Sequence, residues 1–168
     1  QYAVSELANN VKHHARAPGY TTAQYTGSTD LIRVAIADTG IGVLRSFAEN
    51  GSPHLKPGMP DADTIALALR SKVSSKSHLT SAWGESINAG VGLTLLKEFC
   101  ELTQGHFFMA SGSGVCFQGA GDNSLQPLSL RGSYQGTVCA LSFRRGRIHF
   151  SARRIALHAQ HLRILVAI

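Results

Sequence analysis

The chain has 168 residues, 43% of them apolar and 15% charged, which suffices for one globular domain and excludes a disordered chain. The formal net charge of +6 points at first to nucleic acid. However, six of the 16 basic residues and none of the 10 acidic ones lie in residues 144–168, so residues 1–143 are neutral overall. We therefore expect no nucleic-acid binding by the globular part, and a basic extension that is either solvated or contacts an anionic partner.

The cysteines and the lack of long apolar runs predict a cytoplasmic chain. Cys100, Cys116 and Cys139 show no CxxC spacing, which fits reduced, structural thiols. No run of apolar residues is long enough for a membrane span, and no secretory signal is visible. Because the chain begins with Gln1 and enters helix-like sequence at once, we expect that an upstream part precedes it.

The first part of the chain predicts a helix followed by a hairpin. Residues 3–15 carry apolar side chains at helical spacing and end before a Pro-Gly pair, which stops a helix. Residues 20–26 and 31–37 have the composition of strands, and the Gly-Ser-Thr-Asp sequence between them is typical of a tight turn.

The remaining elements are two helices and several strands. Residues 61–72 predict a helix with Asp61 or Asp63 as its N-cap, and residues 73–89 predict a long polar loop. Residues 91–105 predict a third helix, whose last residue, a glycine, is a natural stop. Strand-like runs follow at residues 106–111, 115–119 and 137–143, and a Gly/Ser/Pro-rich connection joins the last two.

This order of elements predicts an α+β fold, a two-layer α/β sandwich with a mostly antiparallel sheet and helices on one face. Strands that alternate with helices can instead form parallel βαβ units, but the short turn between the first two strands argues against that arrangement. We assign residues 1–143 to this domain and residues 144–168 to a basic C-terminal extension.

The first helix carries a polar stripe beside its apolar one. Glu6 and Asn10 are four residues apart and share a face, which His13 continues. Such a stripe is usually a solvated surface. Alternatively, Glu6 is a general base and the amide oxygen of Asn10 is a ligand for Mg²⁺, which prefers oxygen.

The segment Val34–Leu44 ends a strand in an aspartate and two glycines. In strand phase, Asp38 points to the same side as the apolar side chains before it, so its carboxylate is aimed at the buried face. A buried carboxylate needs hydrogen-bond donors, and the amino group of a bound base is one such donor. Gly40 and Gly42 permit a close approach that a Cβ would block. An ordinary turn after a strand is the alternative.

Two later glycine-containing segments could contact phosphates. Gly90 and Gly92 lie where the long loop becomes a helix, and free N–H groups at a helix start bind anions. Thr137 follows a glycine at a strand start, where its hydroxyl could reach a phosphate or a water near the base, although threonine is also simply a good strand residue. Neither a P-loop nor a GxGxxG fingerprint after a strand is present.

Taken in order, "ELANN", "DTGIG", a long loop, "GVGL" and a late Gly-Thr resemble the GHKL superfamily of sensor histidine kinases, gyrase-type topoisomerases, heat-shock chaperones and mismatch-repair ATPases. The resemblance covers residues 1–143. It implies the Bergerat α/β sandwich, with ATP held between the sheet and a mobile lid and with Mg²⁺ as its counter-ion. One departure is Asn88, which stands where a glycine often precedes the second glycine box.

The resemblance also implies roles for individual residues. Glu6 would be the catalytic base and Asn10 the Mg²⁺ ligand, with His13 near the phosphates. Asp38 would accept the adenine amino group. The remaining ATP-binding residues would be Gly40 and Gly42 at the base, Gly90 and Gly92 at the phosphates, and Thr137 in the last strand.

The leading hypothesis is an ATP- and Mg²⁺-binding, histidine kinase-like domain of a bacterial signalling or regulatory protein. Its partner would be a phosphoacceptor or a regulator, and a homodimer is a further expectation. One alternative is an ATP hydrolase or switch in which Glu6 activates water. The other is a non-catalytic ATP-binding module whose basic extension binds the partner.

Overall fold

The structure is a computed structural model, and it describes residues 7–70, 73, 92–122 and 124–148. Helix α1 comprises residues 7–10 in α-helical form and Val11–Ala15 in π-helical form; the others are α2 (Gly42–Glu49), α3 (Asp61–Ala68) and α4 (Gly92–Leu102). The strands are β1 (Gly19–Thr26), β2 (Leu31–Asp38), β3 (His106–Gln118) and β4 (Gln126–Arg144). The predicted first helix and first two strands are thus confirmed where the structure describes them.

The four strands form one open sheet in the order β1-β2-β4-β3, and all three neighbouring pairs are antiparallel. A short 3₁₀ turn, Gly27–Thr29, joins β1 to β2, as the sequence predicts. The α+β class with an antiparallel sheet is therefore confirmed, and parallel pairing is absent among the described strands.

The main core lies where the helices meet the three strands β2, β4 and β3. Residue registers place the inward side chains in rows across the sheet: Val34, Leu141 and Phe107 form one row, and Ile36, Cys139 and Met109 form the next. The helices contribute Leu7, Ile65 and Leu96, each at most 2% exposed. Burying one such aliphatic side chain contributes about 1.5–3 kcal/mol, so this core supplies much of the stability of the fold.

The three cysteines are free thiols inside this core. Burial raises the pKa of Cys100 to about 12 and that of Cys116 to about 11, and it raises the pKa of Cys139 as well. Since a thiolate is the reactive form, these side chains are inert packing groups at neutral pH. This agrees with the structural role predicted for them.

Strands β3 and β4 are longer than the sequence predicts. The two separate runs at 106–111 and 115–119 form one strand that ends at Gln118, with irregular register between Ser111 and Gly114. The predicted connection was wrong over Gln126–Gly136, which belongs to β4. The reason is long-range: this segment pairs with the second half of β3, although its own side chains are largely exposed.

Helix α2 is absent from the sequence prediction. Its apolar residues Val43 and Phe47 are one turn apart, and Phe47 is buried. No side chain caps its N-terminus, and it begins directly inside the glycine-containing segment. The missing cap and the neighbouring glycines concealed a short helix, which tertiary packing stabilises.

The predicted start of α3 at Asp61 is confirmed, whereas its predicted cap and its predicted end were wrong. Its N-cap is Pro60, with no side-chain cap, because the Asp61 carboxylate turns toward β3 instead. The helix ends at Ala68 rather than at residue 72, and the hydroxyl of Thr94 on α4 donates to the carbonyl of Leu69 at 3.0 Å. The cap and the stop both depend on residues distant in sequence.

Helix α4 ends in a Schellman motif. Gln104 has a left-handed φ of 53°, and the N–H groups of Gln104 and Gly105 donate to the carbonyls of Glu101 and Cys100. The left-handed residue is therefore Gln104, not the glycine that was predicted as the stop. Gly105 is required for another reason, since a Cβ there would collide with the carbonyl of Ser142.

Asp61 ties the start of α3 to the irregular part of β3. Its Oδ2 accepts hydrogen bonds from the backbone N–H of Ser113 at 2.9 Å and from the Ser113 hydroxyl at 3.0 Å. A Cβ on Gly112 or Gly114 would collide with this junction, so both glycines allow the strand to approach the helix.

Asp61→Ala is expected to lower the free energy of unfolding by about 1–3 kcal/mol, because it leaves the half-buried Ser113 donors without their acceptor. Urea denaturation monitored by circular dichroism measures the loss. The control is Asp63→Ala, which removes an exposed carboxylate from the same helical turn. Equal losses in the two variants would contradict this role of Asp61.

The start of the basic C-terminal extension contacts the turn between β1 and β2. Asp30 accepts hydrogen bonds from the backbone N–H of Gly146 at 2.7 Å and pairs with Arg145 at 3.3 Å. These partners, with the Gly146 N–H contributing most, hold the pKa of Asp30 below its ordinary value. Ile148 packs against the main core, and residues 149–168 lie outside the described part.

Two further expectations concern the predicted loop 73–89 and membrane-spanning segments. Of the predicted loop 73–89, only Val73 is described. Among the described helices, none combines the length and the apolar character needed to cross a membrane.

Candidate functional site

Asp38 is the last residue of β2 and lies on the helix-covered face of the sheet. It pairs in register with Thr137 on β4, and it is only 4% exposed. The predicted inward orientation of this carboxylate is therefore confirmed. A carboxylate so enclosed is unusual, because an ionised group loses its hydration there and needs polar partners.

One oxygen of this carboxylate is anchored by backbone donors. Oδ1 of Asp38 accepts the N–H of Gly40 at 2.9 Å and the N–H of Thr137 at 3.2 Å. No described residue donates a hydrogen bond to Oδ2. Asp38 thus has a fixed orientation and one acceptor oxygen that the described protein groups leave unused.

Burial raises the pKa of Asp38 above its ordinary value of 3.8, and the two backbone hydrogen bonds only partly oppose this effect. The folded protein therefore holds the Asp38 proton more tightly than the unfolded chain does. It follows that ionised Asp38 lowers the stability of the ligand-free fold once the pH rises above 3.8 toward the folded pKa.

Asp38→Asn, which cannot ionise, is expected to gain stability relative to the wild type as the pH rises from below 3.8 to neutral. Urea denaturation of both proteins across this range measures the difference, and subtraction cancels the groups they share. A relative gain that instead grows toward acid pH would contradict the raised pKa.

The glycines after Asp38 let the chain pass close to the end of α1. A Cβ on Gly40 would collide with the backbone of Ala15, whose carbonyl accepts the N–H of Ile41 at 3.1 Å. Gly42 has a φ of 74°, and a Cβ there would lie 2.8 Å from the Ser111 hydroxyl. Both glycines are therefore required by packing around the carboxylate, whatever else they contact.

Helix α1 changes from α-helical to π-helical form within the predicted polar stripe. Asn10 is half-buried, and its Nδ2 atom is buried without a hydrogen-bond partner among the described residues. The following π turn has i→i+5 hydrogen bonding, which moves later residues one position round the axis. Consequently His14 is half-buried with Nδ1 3.3 Å from the Ser46 hydroxyl on α2, whereas His13 is exposed. That His13 continues the face of Asn10 stays a prediction.

The second glycine box is described only in part. Gly92 is buried and begins α4, but Gly90 and Glu6 lie outside the described residues. Val43 and Leu93 each pack against both the main core and the smaller apolar cluster around Phe47. The first turns of α2 and α4 therefore both border these two clusters.

The structure brings some predicted residues together around the carboxylate. Asp38, Gly40 and Thr137 are joined by hydrogen bonds, and Gly42 lies beside them at the start of α2. Asn10 is on the helix whose end supports Gly40. No described group of three or more His, Cys, Asp or Glu side chains could hold a metal ion.

Sequence reasoning missed two residues of this site. The Tyr134 hydroxyl donates to the main-chain carbonyl of Asp38 at 2.8 Å. The Ser111 hydroxyl, 2% exposed, joins β3 to both α2 and β4. The alternation of Ser111 with buried Phe107 and Met109 could have indicated its inward orientation, whereas no local signal marks Tyr134.

Fold and site together define a small α+β domain with an open antiparallel sheet and a buried acid at the end of an inner strand. Comparison with protein-family models and with curated proteins finds no match to this chain.

Proposed function

We propose that this chain is an ATP- and Mg²⁺-binding domain of the GHKL kind, serving as the histidine kinase-like part of a bacterial signalling protein. The observation that carries the proposal is Asp38, a buried carboxylate with Oδ1 anchored by two backbone N–H groups and Oδ2 left without a described donor. In this proposal, Oδ2 accepts the exocyclic amino group of adenine.

The cost of burying the Asp38 carboxylate supports a nucleobase ligand that carries an amino donor. An isolated buried carboxylate is costly, and a hydrogen bond from a ligand recovers part of that cost. Adenine offers such a donor as its exocyclic amino group. The raised pKa of Asp38 fits a group whose charged form lacks a partner before the ligand binds.

Helices α4 and α1 would supply the proposed phosphate and metal contacts. The buried N-terminal turn of α4 at Gly92 would direct N–H groups at the phosphates. Gly90, which lies outside the described residues, is proposed as a second phosphate contact. Asn10 would be the Mg²⁺ ligand. Its buried and unpaired amide position fits this role if the amide is rotated by 180°, because Oδ1 then occupies that position.

The reaction proposed for this site is phosphoryl transfer to a protein partner. Such transfer depends on positioning and on charge stabilisation more than on covalent catalysis, and Mg²⁺ supplies charge neutralisation. Asp38 would hold the base, with Thr137 beside it. Gly92 would orient the phosphates, and Glu6 would accept the proton of the nucleophile. The same proposal includes the Bergerat sandwich, which the antiparallel sheet and its strand order support.

Isothermal titration of the chain with ATP and with GTP, each with and without Mg²⁺, tests the proposal. We expect ATP to bind, binding to strengthen with Mg²⁺, and GTP to bind at least about tenfold more weakly, since guanine presents an acceptor to Asp38. Equal affinity for both nucleotides, or no ATP binding by the folded chain, would refute it.

A further inference from the structure

Ser111 on β3 has a buried hydroxyl that both donates and accepts a hydrogen bond beside Asp38. Its Oγ accepts the N–H of Val43, in the first turn of α2, at 2.9 Å. The same hydroxyl donates to the carbonyl of Gly136 on β4 at 2.7 Å. One buried hydroxyl therefore connects three elements, and nothing in the sequence analysis assigns it a role.

The Gly136 carbonyl, which accepts the hydrogen bond from Ser111, belongs to the same peptide unit as the Thr137 N–H, which donates to Asp38. The Gly136 carbonyl and the Thr137 N–H lie in one plane and point in opposite directions, because the peptide bond is planar and trans. Anchoring the oxygen on Ser111 thus aims the hydrogen at Oδ1 of Asp38. Gly136 has a φ of 108°, which glycine adopts without the steric cost that a Cβ would bring.

We propose that Ser111 is a positioning residue, which orients the Gly136–Thr137 peptide and, at the same time, the start of α2 around the Asp38 carboxylate. It acts through those groups and does not contact the ligand. Its effect on ATP affinity rests on the proposed function, whereas its effect on Asp38 itself does not.

Ser111→Ala provides the test, with two readouts. The first is the titration of the Asp38 carboxyl carbon by NMR in the ligand-free protein. Loss of the aligned Thr137 N–H removes a hydrogen bond that favours the ionised form, so the Asp38 pKa is expected to rise further above that of the wild type. No charged side chain contributes to the shifted pKa of Asp38 among the described residues, so the change has one source. The second readout is ATP affinity, expected to fall about tenfold.

The matched control is Ser113→Ala, two residues further along β3, which removes a hydroxyl that donates to Asp61 instead. It should lose stability without shifting the Asp38 titration. If Ser111→Ala does not fold, Ser111→Cys keeps the shape with a weaker donor and is expected to shift the titration in the same direction. An unchanged or lowered Asp38 pKa in the folded Ser111 variant would overturn the proposal. A raised pKa without ATP binding by the wild type would uphold the positioning role and refute the proposed function alone.

Discussion

Asp38→Asn is expected to weaken ATP binding by about 10- to 100-fold, the factor that corresponds to one hydrogen bond with a charged group. The substitution preserves shape, and the amide oxygen can still accept the N–H groups of Gly40 and Thr137. The amide nitrogen then replaces Oδ2, so that a donor faces the amino group of adenine. Isothermal titration with ATP and Mg²⁺ measures the loss.

The same change should improve relative binding of GTP, because guanine carries an acceptor oxygen where adenine carries the amino group. The ratio of GTP to ATP affinity therefore reports the contact itself, independently of general damage to the fold. Asp63→Asn removes the same charge from an exposed position and should leave both affinities unchanged. An unaltered ratio in Asp38→Asn would contradict the proposed contact with the base.

Gly136→Ala is expected to lower the free energy of unfolding by about 2–4 kcal/mol, from backbone strain and from overpacking together. Its φ of 108° is unfavourable for any residue with a side chain. The added Cβ would also collide with the carbonyl of Asp38 and lie 2.9 Å from the N–H nitrogen of Gly40. Urea denaturation measures the loss, and residual folded protein should bind ATP weakly because Asp38 is displaced.

Gly132→Ala is the matched control on the same strand. Its Cβ would meet no atom within 4 Å, and its φ lies outside the left-handed region. We expect a change within about 0.5 kcal/mol there. If both alanine variants were equally stable, the close packing of Gly136 against Asp38 would have no energetic significance.

The fold was predictable where local pattern and tertiary contact agree. The strand-like composition of β1 and β2, with turn residues between them, predicts a hairpin that the structure contains. Apolar spacing likewise predicts α4 to within a few residues at each end. In contrast, the N-terminal part of β4, Gln126–Gly136, has the composition of a loop. It becomes a strand only because β3 supplies its backbone hydrogen-bond partners.

The candidate site divides in the same way. Strand phase alone predicts that Asp38 faces inward, since side chains alternate regardless of what covers them. In α1, helical periodicity did not reveal the π turn over Val11–Ala15 or the contact of His14 with Ser46 on α2. Tyr134, 96 residues from Asp38 in sequence, has no local pattern that marks its hydrogen bond.

The sequence by itself therefore determined the class of the fold and the direction of the Asp38 carboxylate, because both follow from periodicity within single elements. The tertiary structure alone decided which groups surround that carboxylate. The N–H of Thr137 reaches it, and the Ser111 hydroxyl reaches the Gly136 carbonyl, only after β2, β3 and β4 are aligned in register. Hydrogen bonds between distant segments depend on that alignment, and no local spacing encodes it.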